Sequence, residues 1–157
     1  MKRLLAAILL AAILLAPALA ACSLLPLSTP GPGGEVARVA AEQRTFWRSQ
    51  GLDSYTFAIT RLCFCPPEWS GPFMVTVVDG VTTLVTYEGA PAPVANVEHI
   101  PKTIEAVFDL LVASAATTKD VTYDPVFGFP ASYSVDPIVN AVDDEFAITV
   151  SDFDPSP

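Results

Sequence analysis

Asp79-Gly80 stands alone between two runs of β formers, Phe73 to Val78 and Val81 to Tyr87. A two-residue link of this kind demands a tight antiparallel hairpin, because Asp and Gly tolerate the positive φ of a type I′ turn. Antiparallel pairing is therefore the starting constraint. Tyr55 to Phe64 alternates, with Tyr55, Phe57 and Ile59 on one side and Thr56, Ala58 and Thr60 on the other, as a half-buried strand does. Pro66-Pro67 ends it, since neither proline can donate to a ladder. Val121 to Tyr123 and Ala131 to Asp136 are two more strand candidates. The turn chemistry of Asp124-Pro125 and Gly128 joins them, with Gly128 expected at positive φ and Asp124 bonding local backbone. Phe146 to Ser151 alternates again and is expected to close the sheet.

Two stretches carry helical spacing. Glu35 to Gln50 places Val36, Val39, Ala40, Phe46 and Trp47 on an apolar stripe, and Gly51 sits where a C-terminal cap belongs. After a Pro-rich segment from Gly89 to Pro101, Thr103 is a good N-cap for a stripe of Ile104, Val107, Phe108, Leu111 and Ala115. The order α-β-β-β-α-β-β-β predicts an α+β fold, with a mainly antiparallel sheet of about six strands and helices on one face.

The first 34 residues follow different rules. Met1-Lys2-Arg3 is positive, Leu4 to Leu15 is unbroken Leu, Ile and Ala, and Pro17 precedes Leu19-Ala20-Ala21-Cys22. These are the three parts of a secretory signal, ending in the pattern of a bacterial lipoprotein precursor. Residues 1–21 are read as the signal, Cys22 as the lipidated first residue, 22–34 as a flexible tether and 35–157 as a single domain. The competing reading, an uncleaved anchor over Leu4 to Ala21, is short for a spanning helix and is interrupted by Pro17. The tether, SLLPLSTPGPGG after Cys22, has an r.m.s. span of ~20 Å.

Cleavage leaves 136 of the 157 residues and removes two of the eight basic ones, so six face 17 acidic residues at a formal charge of −11. That charge repels phosphate backbones, and no nucleic-acid partner is expected. The expected partners are the membrane, through the lipid, and a protein or small molecule. The domain is expected outside the cytoplasm, on the cell membrane or an outer membrane. Ser23 is not the Asp that retains many lipoproteins at an inner membrane.

With Cys22 consumed by lipid, Cys63 and Cys65 have only each other as intramolecular partners, in a compartment that permits disulfides. On an extended strand their Cα atoms would stand ~6.6 Å apart, so a bond needs a kink, which Pro66-Pro67 favours. The pair is read as a local structural disulfide or a reactive dithiol. His99 stands alone beside Glu98, with nothing in sequence to make it a positioned base or to complete a zinc site. Asp120, Asp124, Asp136, Asp143, Asp144, Glu145, Asp152 and Asp154 crowd the C-terminal third without the register of an EF-hand. Asp143, Asp144 and Glu145 are the weak calcium candidates among them. No common hydrolase or nucleotide-binding motif occurs, no catalytic residue is assigned and no cofactor is expected.

Residues 47–153 resemble a bacterial family of uncharacterised exported proteins, many of them lipoproteins, known as a domain of unknown function. The matching pieces are Trp47 with Tyr55, Cys63-Phe64-Cys65-Pro66, Asp79-Gly80 and Asp109 within Phe108-Asp109-Leu110. Tyr123-Asp124-Pro125 with Gly128-Phe129-Pro130, Asp136 and Asp143-Asp144-Glu145 complete the set. The resemblance implies an α+β domain and carries over no catalytic residue. The functional expectation is a membrane-anchored envelope lipoprotein that binds or scaffolds without catalysis. Two alternatives are a thiol-redox or Cu(I)-handling protein using Cys63 and Cys65, and a calcium-stabilised binding module. The lipid site is directly testable: Cys22→Ser should leave the precursor uncleaved and unacylated, and mass spectrometry of the wild type should find the mature N-terminus at Cys22 and nowhere else.

Overall fold

The computed structural model describes residues 31–138 and 140–155, so the signal and Cys22 lie outside the described residues. Helix α1 (Pro32–Ser49) leads into strand β1 (Tyr55–Cys63), and a 3-10 turn (Pro67–Trp69) precedes β2 (Phe73–Val78) and β3 (Val81–Tyr87). A two-residue strand β4 (Ala90–Pro91), a single helical turn α2 (Val94–Val97) and helix α3 (Ile104–Ala113) follow. The chain finishes with β5 (Thr118–Tyr123), β6 (Pro130–Val135) and β7 (Phe146–Asp154). Among the described residues no helix is long and apolar enough to cross a membrane.

The expected α+β architecture is present, with an open antiparallel sheet of seven strands rather than about six. The extra strand is β4, an edge pair of residues inside the Pro-rich segment, where prolines prevent a longer ladder. The order β4-β3-β2-β1-β7-β6-β5 also corrects the place of the last strand. Instead of closing the sheet at its margin, β7 inserts between β1 and β6. Ile148 and Val150 are both buried there, on the face of the sheet that holds the core.

One face of the sheet holds the core. Phe57, Ile59, Val75, Val77, Tyr133 and Ile148 are closed to solvent, beneath Ala40 and Trp47 of α1 and Val107, Phe108 and Leu111 of α3. Thr103 caps α3, its hydroxyl accepting from the Ala106 N–H at 3.0 Å. The first backbone N–H of that helix, at Ile104, donates to the Tyr55 hydroxyl of β1 at 3.1 Å, which ties helix to sheet. Trp47 meets Tyr55, Phe129 and Phe153 edge-on, with ring centroids 5.5–6.0 Å apart.

Two sequence readings of α1 need correction. Phe46, expected in the stripe, is 45 % exposed, because Trp47 is the residue drawn into the aromatic cluster. The helix also begins at Pro32, so Pro32 to Gly34, read as tether, belong to it; proline is at home in a first helical turn. Gly33 is required there, since a Cβ would stand 2.7 Å from the Ala116 backbone. On the outer side of the helices, Arg44 and Arg48 both reach Glu105 of α3, at 2.8 and 2.7 Å, and Arg44 also pairs with Asp109 at 2.7 Å. Burial opposes the charge on Glu105, but the hydrogen bonds from Arg48 and Arg44 outweigh it and hold the carboxyl below its usual range.

The β5–β6 connection is ordered as its residues require. Asp124 accepts from the Val126 and Phe127 N–H groups at 2.8 and 2.7 Å, and Gly128 takes φ +78. A Cβ at Gly128 would also stand 2.5 Å from a Phe46 ring carbon, so both space and φ exclude a side chain. Phe108, on α3, is among the largest fully buried side chains. Phe108→Ala should cost ~3–5 kcal/mol in a denaturant titration. A loss below ~1 kcal/mol would place the α3 stripe in solvent.

Candidate functional site

Strand β1 is longer than its helical cover. Its inward register runs Tyr55, Phe57 and Ile59 in the core and continues with Arg61 and Cys63 beyond it. At that end the chain turns back through Pro67–Trp69, and the Arg61 N–H donates to the Ser70 carbonyl at 2.8 Å. The turn carries Trp69 to the ring of His99, centroids 5.1 Å apart. Across the gap lies the loop between β6 and β7, with Asp143, Asp144 and Glu145. Together these elements enclose an open cleft of about 290 Å3.

Cys63 and Cys65 form part of its wall. They are joined as a disulfide with Cα atoms 5.3 Å apart, closer than a straight strand allows. The bend leaves Phe64 81 % exposed at the lip. The Cys65 sulfur lies 3.6 Å from the Ser70 hydroxyl, so the disulfide also packs on the returning turn. Arg61 forms the floor. Its guanidinium stands 4.8 Å over the Phe146 ring, and one Nη donates to the His99 carbonyl at 3.2 Å. Its Nε is buried with no hydrogen-bond partner among the described residues.

Features that sequence reading kept apart thus meet in one place: the cysteine pair, His99 and the acidic triplet. His99 is a wall of the cleft, although among the described residues no side chain orients its ring nitrogens for proton transfer. Arg61 and Trp69 were missed. Arg61 could have been found, since it shares the strand face of Cys63 two residues on. Trp69 could not, because only the fold brings its turn to His99.

The acidic candidates are regrouped. The carboxylates that converge, with ligand atoms within 4.8 Å of one another, are Asp136, Asp144 and Glu145, without Asp143. Asp143 sits at φ +71 and is exposed, whereas Asp144 turns back to accept from the Ile138 N–H at 2.9 Å. A cation already serves this group. The Lys119 ammonium bonds Asp136 at 2.9 Å, and its pKa is raised by that hydrogen bond and by the charges of Asp136, Asp120 and Glu145.

The cleft and the chain's point of entry share one end of the sheet. The start of α1, at Gly33, touches Ala115 and Ala116 just before β5. Thr118 at the start of β5 pairs with Val135, Val135 with Phe146, and Phe146 with Cys63.

The arrangement is that of a small α+β domain with a half-covered antiparallel sheet and a disulfide-walled cleft at one end. The chain belongs to the Family of unknown function (DUF6174), whose model matches residues 39–155. No curated protein and no solved structure matches it.

The disulfide closes only a three-residue loop, worth ~1.6 kcal/mol of chain entropy at most. Cys63→Ser/Cys65→Ser should therefore fold and melt within about 8 °C of wild type by circular dichroism. A larger drop, with the bond confirmed by intact-mass alkylation, would make it a staple of the whole domain.

Proposed function

We propose that this chain is an exported lipoprotein whose domain binds a peptide segment of a partner near the membrane, through the cleft at the end of β1, without catalysis. The observation that carries the reading is the cleft itself, where the Arg61 side chain, a carboxylate wall and the exposed ring of Phe64 line one opening. A carbonyl of a bound chain answers the Arg61 guanidinium at the floor. Peptide N–H groups or basic side chains answer Asp143 and Glu145 on the opposite wall, and an apolar side chain answers Phe64 and Trp69. Exposed aromatics beside a pocket are the usual anchors of an interface.

Leu19-Ala20-Ala21-Cys22 supports the lipid anchor, and the position of α1 supports proximity. From Cys22 to Pro32 the chain spans about 35 Å at full extension, so the cleft end stays close to the lipid surface. A second reading, thiol–disulfide exchange, is favoured by one observation: the disulfide lines the cleft instead of the core.

Photo-crosslinking in the native envelope separates the two. A benzophenone side chain in place of Phe64 in the full-length protein should give discrete adducts, and the same probe at Val112, exposed on α3, should not. Equal yields at the two positions would defeat the binding site. Adducts that a thiol reductant releases, and that vanish in Cys63→Ser/Cys65→Ser, would move the function to redox exchange.

A further inference from the structure

The sheet face turned away from the helices is built differently from the rest of this acidic surface. Cross-strand partners share a face, so the register defines its rows. Thr60 of β1 stands beside Thr149 of β7, Thr149 beside Ser132 of β6, and Ser132 beside Thr122 of β5. The next row runs Leu62, Ala147 and Ser134. On the other side of β1, Ala58 meets Met74, which meets Thr86, and Thr56 meets Thr76, which meets Leu84. None of these side chains is charged, in a chain with 17 acidic residues. Charges begin at the margins: Asp152 and Asp154 past the bulge of β7, Glu145 before its start, and Lys119 on β5 in its pair with Asp136.

Exposed apolar side chains also gather here. Leu62, Met74, Val78, Val81 and Leu84 are all open to solvent on this face. A solvated antiparallel sheet ordinarily alternates its apolar residues with charged ones. Hydroxyls and small apolar groups in their place make a flat, neutral platform.

We propose that this outer face, centred on Thr60, Leu62 and Thr149, is a self-association surface on which a second copy of the chain packs. Charge selects that occupant. Two copies that are strongly negative repel one another wherever their carboxylates meet, and the centre of this face, from Thr60 and Leu62 to Ser132, carries none; Asp154, opposite Thr56, stands at its margin. Hydroxyls select it as well. Ser and Thr both donate and accept, so any two hydroxyls brought together across a two-fold axis can pair without an orphan group, which two carboxylates or two ammonium groups cannot do. A nucleic acid or an anionic bilayer would bring charge that this face does not answer, and a glycan would call for an aromatic platform that these rows lack.

Size fixes the strength. Six strands ~4.8 Å apart and about five residues long present roughly 500 Å2 in projection per copy, below the ~800 Å2 per partner of a stable complex. The contact is weak in dilute solution and becomes populated when chains are confined together. Geometry permits such confinement. A two-fold axis parallel to the strands, between sheets ~10 Å apart, sends both α1 entry points the same way, so two tethers reach one bilayer. This confinement rests on the lipoprotein reading; the face itself does not.

The test uses full-length protein in vesicles at low protein-to-lipid ratio, with energy transfer between donor- and acceptor-labelled copies. Thr149 and Ser151 are both exposed at the centre of the face, so charging them should spare the fold, as an unchanged melting curve would show. Thr149→Glu/Ser151→Glu should lower association at least about tenfold. Mixing that variant with Thr149→Lys/Ser151→Lys should restore transfer between the two. Wild-type transfer no higher than that of the glutamate variant, with protein still lipid-bound, overturns the self-association and leaves the anchor standing. Protein that fails to partition to vesicles, yet dimerises in sedimentation equilibrium and loses the dimer on charging, overturns the anchor and leaves the self-association standing.

Discussion

β1 and β7 lie side by side at the middle of the sheet although they come from opposite ends of the described chain, and the remaining structure is arranged around their pairing. Without it, β1 to β4 and β5 to β7 would form two small sheets, each with an additional open edge and too little area to cover a helix layer. The antiparallel match from Thr56 with Asp154 to Cys63 with Phe146 fuses them into one surface. A register shift opposite Phe57, with Asp152 at φ +49, interrupts the ladder. Beyond it, Phe153 packs against Trp47, Tyr55, Phe127 and Phe129, closing the end of the core farthest from the cleft.

The two faces of β1 divide the functional possibilities between them. Residues of its inward register leave the core at Arg61 and Cys63 and become the floor and wall of a cleft. Those of its outward register, Thr60 and Leu62, become the centre of a neutral platform. Both follow from a period of two in a strand that outruns its helical cover. The cleft offers one buried basic donor against a carboxylate wall, whereas the platform offers neither charge.

The surface ion pairs have a different role. Arg44 and Arg48 converge on Glu105, fixing α1 on α3, and Lys119 on Asp136 pins the start of β5 to the loop after β6. Exposed pairs of this type add little to stability, because solvent screens them. They set orientation, and apolar burial around Phe57, Phe73 and Phe108 supplies the stability.

Much of the local structure was legible in the residues. Asp79-Gly80 forms the β2–β3 turn at positive φ, Thr103 caps α3, and Gly128 takes the left-handed conformation assigned to it. Each depends on a few adjacent residues and on rules of backbone sterics that act at that range. The α3 stripe was legible for the same reason, whereas the α1 stripe erred at Phe46, where periodicity could not say which of two neighbouring aromatics the β5–β7 residues would accept. Strand order was not legible. Alternation shows that Phe146 to Ser151 is a half-buried strand, but only long-range pairing decides that it lies beside β1. The cleft depends on the same decision. By itself the sequence determined most of the strands and both long helices, because these follow from local periodicity. Tertiary structure alone decided that Arg61, Trp69, His99 and Asp144 face one space, because contacts between distant segments are set by how the whole core packs, and no short-range pattern records them.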